Sequence, residues 1–184
     1  MSTSQFEQLT KTVVAASESD DWMSAKDEWT VIGMEEDPTQ SEACICGQED
    51  LVYLFTIQNQ LNGTKLFPIG SRCINQFNNS DLNVQVTTYQ ALWKLVKAVN
   101  AKEYITLDNK FFTRKLIKYL YDKGAFKPNK YNDWDPEQDY RFFLKMFNKR
   151  TEIKENHQTK VKALIMNAVI PFAKKQLSNQ QKQQ

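Results

Sequence analysis

The sequence predicts an α+β protein: an N-terminal portion with a helix and an antiparallel β-hairpin or small sheet, followed by a helical C-terminal bundle. Three observations carry this reading. Residues 51–58 and 64–69 are short apolar runs joined by Asn62-Gly63, a residue pair suited to a hairpin turn. From residue 87 onward, apolar residues recur at spacings of three and four, the period of a helix with one buried face. All three cysteines, Cys44, Cys46 and Cys73, flank the hairpin. A chain of 184 residues can bury a core without cross-links, and the pattern divides it into 1–80, 81–177 and a Gln/Lys-rich tail, 178–184, expected to fray.

Residues 5–16 predict the first helix, with Phe6, Leu9, Val13 and Ala16 on one face and Ser4 as its cap. Residues 22–27 suit a second, short helix. Residues 28–35 predict a strand with Trp29 and Val31 on one face and Thr30, Ile32 and Met34 on the other. Asp37-Pro38 marks a loop. In the hairpin, Leu51, Tyr53, Phe55 and Ile57 share one face, and Val52, Leu54 and Thr56 the other. Pro68 has no N–H for a ladder, so its strand belongs at a sheet edge or ends there. Gly70 permits a tight turn into Cys73.

The helical portion reads as four helices. The first covers 87–101, with Tyr89, Leu92, Trp93, Val96 and Val99 aligned. The second is capped by Asp108 and ends at Lys123-Gly124, with Phe112, Leu116, Tyr119 and Leu120 inward. The third starts at Asp135-Pro136, a cap followed by proline at the first helical position, and buries Tyr140, Phe143, Leu144 and Phe147. The fourth spans 152–176, with Val161, Leu164, Ile165, Ala168 and Val169 inward and Pro171 kinking it.

The cysteines carry the most specific chemistry. Thiolates are preferred zinc ligands, and protein sites commonly take two from one tight turn. Cys44 and Cys46 flank a single residue and are followed by Gly47; Cys73 follows Gly70-Ser71. Adjacent antiparallel strand ends lie about 5 Å apart, so folding the hairpin brings the three thiols within reach of one ion. The expectation is a structural Zn2+ held by Cys44, Cys46 and Cys73. The fourth ligand stays open among Asp37, Glu42, Gln48, Glu49, Asp50, the single histidine His157, water or a partner chain.

The net charge of +2 conceals a division. Residues 1–80 hold four Lys/Arg against twelve Asp/Glu, a net −8, and residues 81–184 hold twenty against ten, a net +10. The acids gather at Glu18, Asp20, Asp21, Asp27, Glu28, Glu35, Glu36 and Asp37, a set that can mimic a phosphate backbone. Lys110, Arg114, Lys115, Lys118, Lys123, Lys127 and Lys130 are interleaved with Tyr121, Phe126, Tyr131 and Trp134, a composition suited to single strands. No phosphate-binding glycine loop, dinucleotide fingerprint or nucleophile elbow occurs, and one histidine leaves little for a catalytic triad. No enzyme activity is therefore expected, a zinc hydrolase ranking last among the readings. No apolar run is long enough to span a membrane, and residues 1–8 lack a signal-peptide pattern, so a cytoplasmic protein is expected. An odd cysteine count in a reducing compartment argues against a disulfide framework.

The run from Glu28-Trp29 through Cys44-Ile45-Cys46-Gly47, Leu51 to Asn59, Asn62-Gly63 and Leu66-Phe67-Pro68-Ile69-Gly70-Ser71-Arg72-Cys73 resembles small proteins encoded by phages and prophages of Gram-positive bacteria. Gly124 to Asn129 and Lys145 to Arg150 extend the likeness over most of the chain. Within that group it is most similar to the zinc-containing type II-A anti-CRISPR proteins. The resemblance implies an inhibitor that binds the type II CRISPR effector, an RNA-guided nuclease, in the host cytoplasm and prevents target DNA from being loaded. It carries over Cys44, Cys46 and Cys73 as zinc ligands and no catalytic residue. Some relatives place histidine two residues after the second cysteine; this chain has Gln48 there. The alternative function is a zinc-stabilised nucleic-acid-binding module that uses the basic helical half.

Overall fold

The computed structural model describes residues 1–178. It is α+β as expected: a three-stranded antiparallel sheet near the N-terminus and a mostly helical second half. The chain divides into two units, the first ending at Tyr89 and the second beginning at Gln90. The tail expected to fray lies, from residue 179 on, outside the described residues.

The first unit opens with α1 (Thr3–Ala15), which buries Leu9 and Val13. Its cap is Ser2 rather than Ser4. The Ser2 hydroxyl accepts from the Gln5 amide at 3.2 Å while the Gln5 side chain accepts from the Ser2 amide at 2.9 Å, a reciprocal capping box. A short α2 (Trp22–Ala25), capped by Asp21, tightens into a 3-10 turn, Lys26–Glu28.

The sheet order is β1 (Trp29–Glu36), β2 (Tyr53–Asn59), β3 (Lys65–Ile69), so the strand carrying Pro68 is an edge. Met34 is buried alongside Trp29 and Val31, against the strict alternation expected of this strand. The cause is a bulge: Val31 pairs with Ile57 and Gly33 with Thr56, leaving Ile32 as an extra residue. That residue shifts the phase by one and brings Met34 opposite Phe55 on the core face. Gln85 of α4 (Ser80–Asn100) accepts from the Val31 amide at 2.7 Å, and the Tyr89 hydroxyl donates to the Ile32 carbonyl at 3.0 Å. These bonds occupy part of the outer edge of β1. They also account for α4 starting at residue 80 rather than 87, because its first turns belong with the sheet.

The β2–β3 connection is closed by Asn59, whose amide donates to Thr64 O at 2.8 Å and whose Oδ1 accepts from the Leu61 and Asn62 amides. Only Gly63 takes a positive φ, +77°. Glu28, expected among the surface acids, is buried. Its carboxylate accepts from the Glu18 and Ser19 amides at 2.8 and 2.9 Å and from Asn59 Nδ2 at 2.6 Å.

The second unit contains the rest of α4, α5 (Arg114–Asp122), α6 (Pro136–Phe147), α7 (Glu155–Leu164) and α8 (Ile170–Ser178). Thr113, not Asp108, caps α5, accepting from the Leu116 amide; Asp108 instead closes a loop by accepting from the Lys110 amide. Asp135 and Pro136 start α6 as expected, but its buried stripe is Asp139, Phe143 and Met146. Phe143 is the hub of the core, edge-on to Phe112 at 5.4 Å and tilted against Phe126 at 5.8 Å. The last helix is interrupted ahead of Pro171 by a π turn, Ile165–Val169, in which the Ile170 amide reaches back to Ile165 O. Proline lacks an N–H and clashes with the carbonyl four residues earlier, so a wider turn at this point accommodates it.

Candidate metal centre

Cys44 and Cys46 sit on a turn closed by two backbone bonds, Gly47 N to Cys44 O at 2.7 Å and Cys44 N to Gln48 O at 2.8 Å. Gly47 has φ +80°, a conformation that favours glycine. A Cβ there would also lie 3.2 Å from Gln8 Oε1. The Ile45 amide donates to Pro68 O at 3.0 Å and ties this turn to the end of β3. Cys73, expected just after a turn at Gly70-Ser71, lies on the short helix α3 (Ser71–Asn75) that Gly70 caps, with its amide bonded to Gly70 O at 3.0 Å. A Cβ on Gly70 would meet Leu51 Cδ2 at 3.1 Å, so this approach is close.

The three sulfurs converge. Cys73 Sγ is 3.3 Å from Cys44 Sγ and 3.1 Å from Cys46 Sγ, and all three ligand atoms lie within 4.8 Å of one another. All three residues are buried free thiols, not a disulfide. The Gly70 amide donates to Cys44 Sγ at 3.3 Å. Cys44 is pulled below the ordinary thiol range, first by the Cys73 thiol that donates to it and then by the Cys46 and Gly70 amides. The proton shared between them is retained on Cys73, which is pushed up by its bond to Cys44 and by burial. The pair thus favours one thiolate, on Cys44, and a metal bound by all three sulfurs would have to displace the proton kept on Cys73. Tetrahedral thiolates with metal–sulfur bonds of about 2.3 Å sit about 3.8 Å apart, so binding asks Cys73 Sγ to move from each of the other two sulfurs by only a fraction of an ångström. The donor set fits a structural metal ion.

Among the described residues, no carboxylate or imidazole joins this group. Asp37 is occupied locally: Oδ1 accepts from the Thr39 amide and hydroxyl, and Oδ2 from the Ser41 amide and hydroxyl and the Glu42 amide. These bonds, the Thr39 hydroxyl foremost, hold its carboxyl far below the usual range. His157 belongs to the second unit and sets its ring edge against Phe142 at 5.6 Å. Gln48, Glu49 and Asp50 line a cavity of about 280 Å³ together with Cys44 and Cys73. Of the open candidates, these three face the same space as two of the sulfurs. Gln5 and Gln8 of α1 brace the turn, donating to Gln48 Oε1 and Ile45 O at 3.1 Å each. Their spacing of three in a polar stretch gave no signal of that role.

The charged clusters are thinned by the fold. Glu28 and Asp37 do structural work, and Glu18, Asp20, Asp21, Asp27 and Glu35 remain exposed. In the second unit Phe126 belongs to the core and Tyr121 stacks on Tyr140 at 4.6 Å, whereas Tyr131 and Trp134 are exposed. Lys110, Arg114, Lys115, Lys118, Lys123, Lys127 and Lys130 are all exposed. No helix of the described residues is long and apolar enough to cross a membrane.

No protein-family model matches the chain, and no curated protein or solved structure is significantly similar to it.

Proposed function

We propose that the chain is a zinc-stabilised binding protein that inhibits an RNA-guided type II CRISPR effector nuclease by direct contact and keeps target DNA from being loaded. The observation that carries this reading is the convergence of Cys44, Cys46 and Cys73 on one buried point. Several residues of the Cys-x-Cys-Gly and Pro-Ile-Gly-Ser-x-Cys segments that carry the resemblance have a physical part in that convergence. Gly47 supplies the left-handed turn, Pro68 O receives the Ile45 amide, Ile69 is fully buried, and Gly70 bonds to sulfur. An all-sulfur donor set selects zinc over hard cations such as calcium and magnesium. The exposed acids of the first unit supply the inhibitory charge. An RNA-guided nuclease holds its heteroduplex in a positively charged channel, and a surface with Glu18, Asp20, Asp21, Asp27 and Glu35 exposed is complementary to it.

The test is a cleavage and DNA-binding assay with purified guide-loaded type II effectors from Gram-positive hosts. With the chain in excess, retention of target DNA by a susceptible effector should fall in step with cleavage, and the chain should co-elute with the effector. Unchanged DNA retention and cleavage across such effectors, with no co-elution, rejects the reading.

A further inference from the structure

The geometry points to a second binding site, unconnected with the cysteines: we infer that the loop 125–135 is a stacking platform for single-stranded nucleic acid. Its two outward aromatics are the most exposed in the described chain, Tyr131 at 77 % and Trp134 at 71 %. The two rings stand within four residues of one another, and the loop is built to present them.

The scaffold is Asn132, which is fully buried between the two rings in sequence. Its Oδ1 accepts from the Asn129 amide at 2.8 Å, and its Nδ2 donates to Lys127 O at 2.9 Å and to Asp139 Oδ2 at 2.7 Å. Asp139 is itself ion-paired to Lys160 at 2.9 Å. Asn129 adds two more bonds, its side chain accepting from the Tyr131 amide and its carbonyl from the Trp134 amide. The loop is therefore fixed from inside. Asp133 and Trp134 both take left-handed backbone, φ +49° and +64°. A bulky aromatic rarely adopts this conformation, and such outliers concentrate at binding sites.

Charge selects the occupant. Lys123, Lys127 and Lys130 are exposed, and none has a carboxylate partner among the described residues. The Lys130 ammonium stands 5.0 Å from the Tyr131 ring centre. The nearby acids are turned to the start of α6: Asp133 accepts from Gln138 and Asp135 from the Glu137 amide. Exposed rings beside unpaired lysines fit an anionic polymer with accessible base faces. A single strand offers both; a duplex hides its base faces in the stack.

The experiment measures binding of the full chain to a fluorescein-labelled oligothymidylate and to a blunt-ended duplex of equal length, by anisotropy over a range of salt. The single strand should bind more tightly than the duplex. Trp134→Ala and Tyr131→Ala should each weaken it by about tenfold, while Trp134→Phe retains most of the affinity. Lys127→Ala combined with Lys130→Ala should lower the slope of log affinity against log salt by about 1.4. Should an alanine variant lose its circular dichroism, Trp134→Phe and the lysine pair decide the matter. The proposal fails if no single strand binds at low salt, or if folded alanine variants bind it as the wild type does. It also fails if those variants lose only a protein partner.

Discussion

Residues 1–89 carry four Lys/Arg against thirteen Asp/Glu, whereas residues 90–184 carry twenty against nine. Their buried interiors differ too. The first unit adds to an apolar core of Trp29, Phe55 and Phe77 a buried glutamate receiving two amides and an asparagine, and three thiols meeting at the hairpin's end. The second packs its aromatics around Phe143 and buries one polar link, Asn132 to Asp139 to Lys160. The difference teaches where each is vulnerable. A directional contact fails when one donor atom is removed, whereas packing fails in proportion to the volume removed.

The largest effect should come from Cys46→Ser. With only three protein thiolates, losing one should abolish metal retention, and the lost binding energy is folding energy, on the order of 5 kcal/mol or more. Elemental analysis should find the metal gone and proteolysis should cut first within residues 1–89. A full metal complement in the variant refutes the assignment.

Next is Phe143→Ala, which deletes a fully buried ring with two aromatic neighbours. A loss of about 3–5 kcal/mol is expected in denaturant unfolding, with metal content unchanged. A variant that also loses the metal would show that the two kinds of cohesion are not separable.

The smallest effect is a change of shape in a pH profile. Glu28 is held down to about 2, against an ordinary value of 4.5, first by its bond to Ser19 and then by Asn59 and the Glu18 amide. A lowered carboxylate pKa means that stability is present above pH 4.5 and is lost as pH falls through the window down to about 2. Urea midpoints across that window should fall more steeply for the wild type than for Glu28→Gln. Parallel curves would remove Glu28 from the account.

Much of this was legible from local pattern. The hairpin, the edge position of Pro68, the Asp135-Pro136 helix start and the meeting of the cysteines follow from rules that act within a few residues. The failures share a physical cause: each depends on a partner distant in sequence or on a choice between near-equal local options. Serine stands at both positions 2 and 4, each with a residue three on that can complete the box, Gln5 and Glu7, and the structure uses Ser2 with Gln5. Asp108 and Thr113 are both capable caps, and packing of Phe111 and Phe112 ahead of α5 leaves Thr113 at its start. Glu28 looked like one acid among many until Asn59 was brought beside it. The early start of α4 likewise required Gln85 and Tyr89 to find β1.

The extra residue in β1 has a consequence for how the chain can change. Ile32 is half-exposed and stands outside the ladder, because Val31 and Gly33 on either side of it pair with consecutive residues of β2. Deleting it would leave Gly33 opposite Thr56 and Met34 opposite Phe55, with Met34 still on the core face, and would restore a regular ladder. What its removal takes away is the local bend and the outer-edge bond from the Tyr89 hydroxyl to the Ile32 carbonyl. The ladder has one residue of slack at this position, so its length there can change while the core face keeps its side chains.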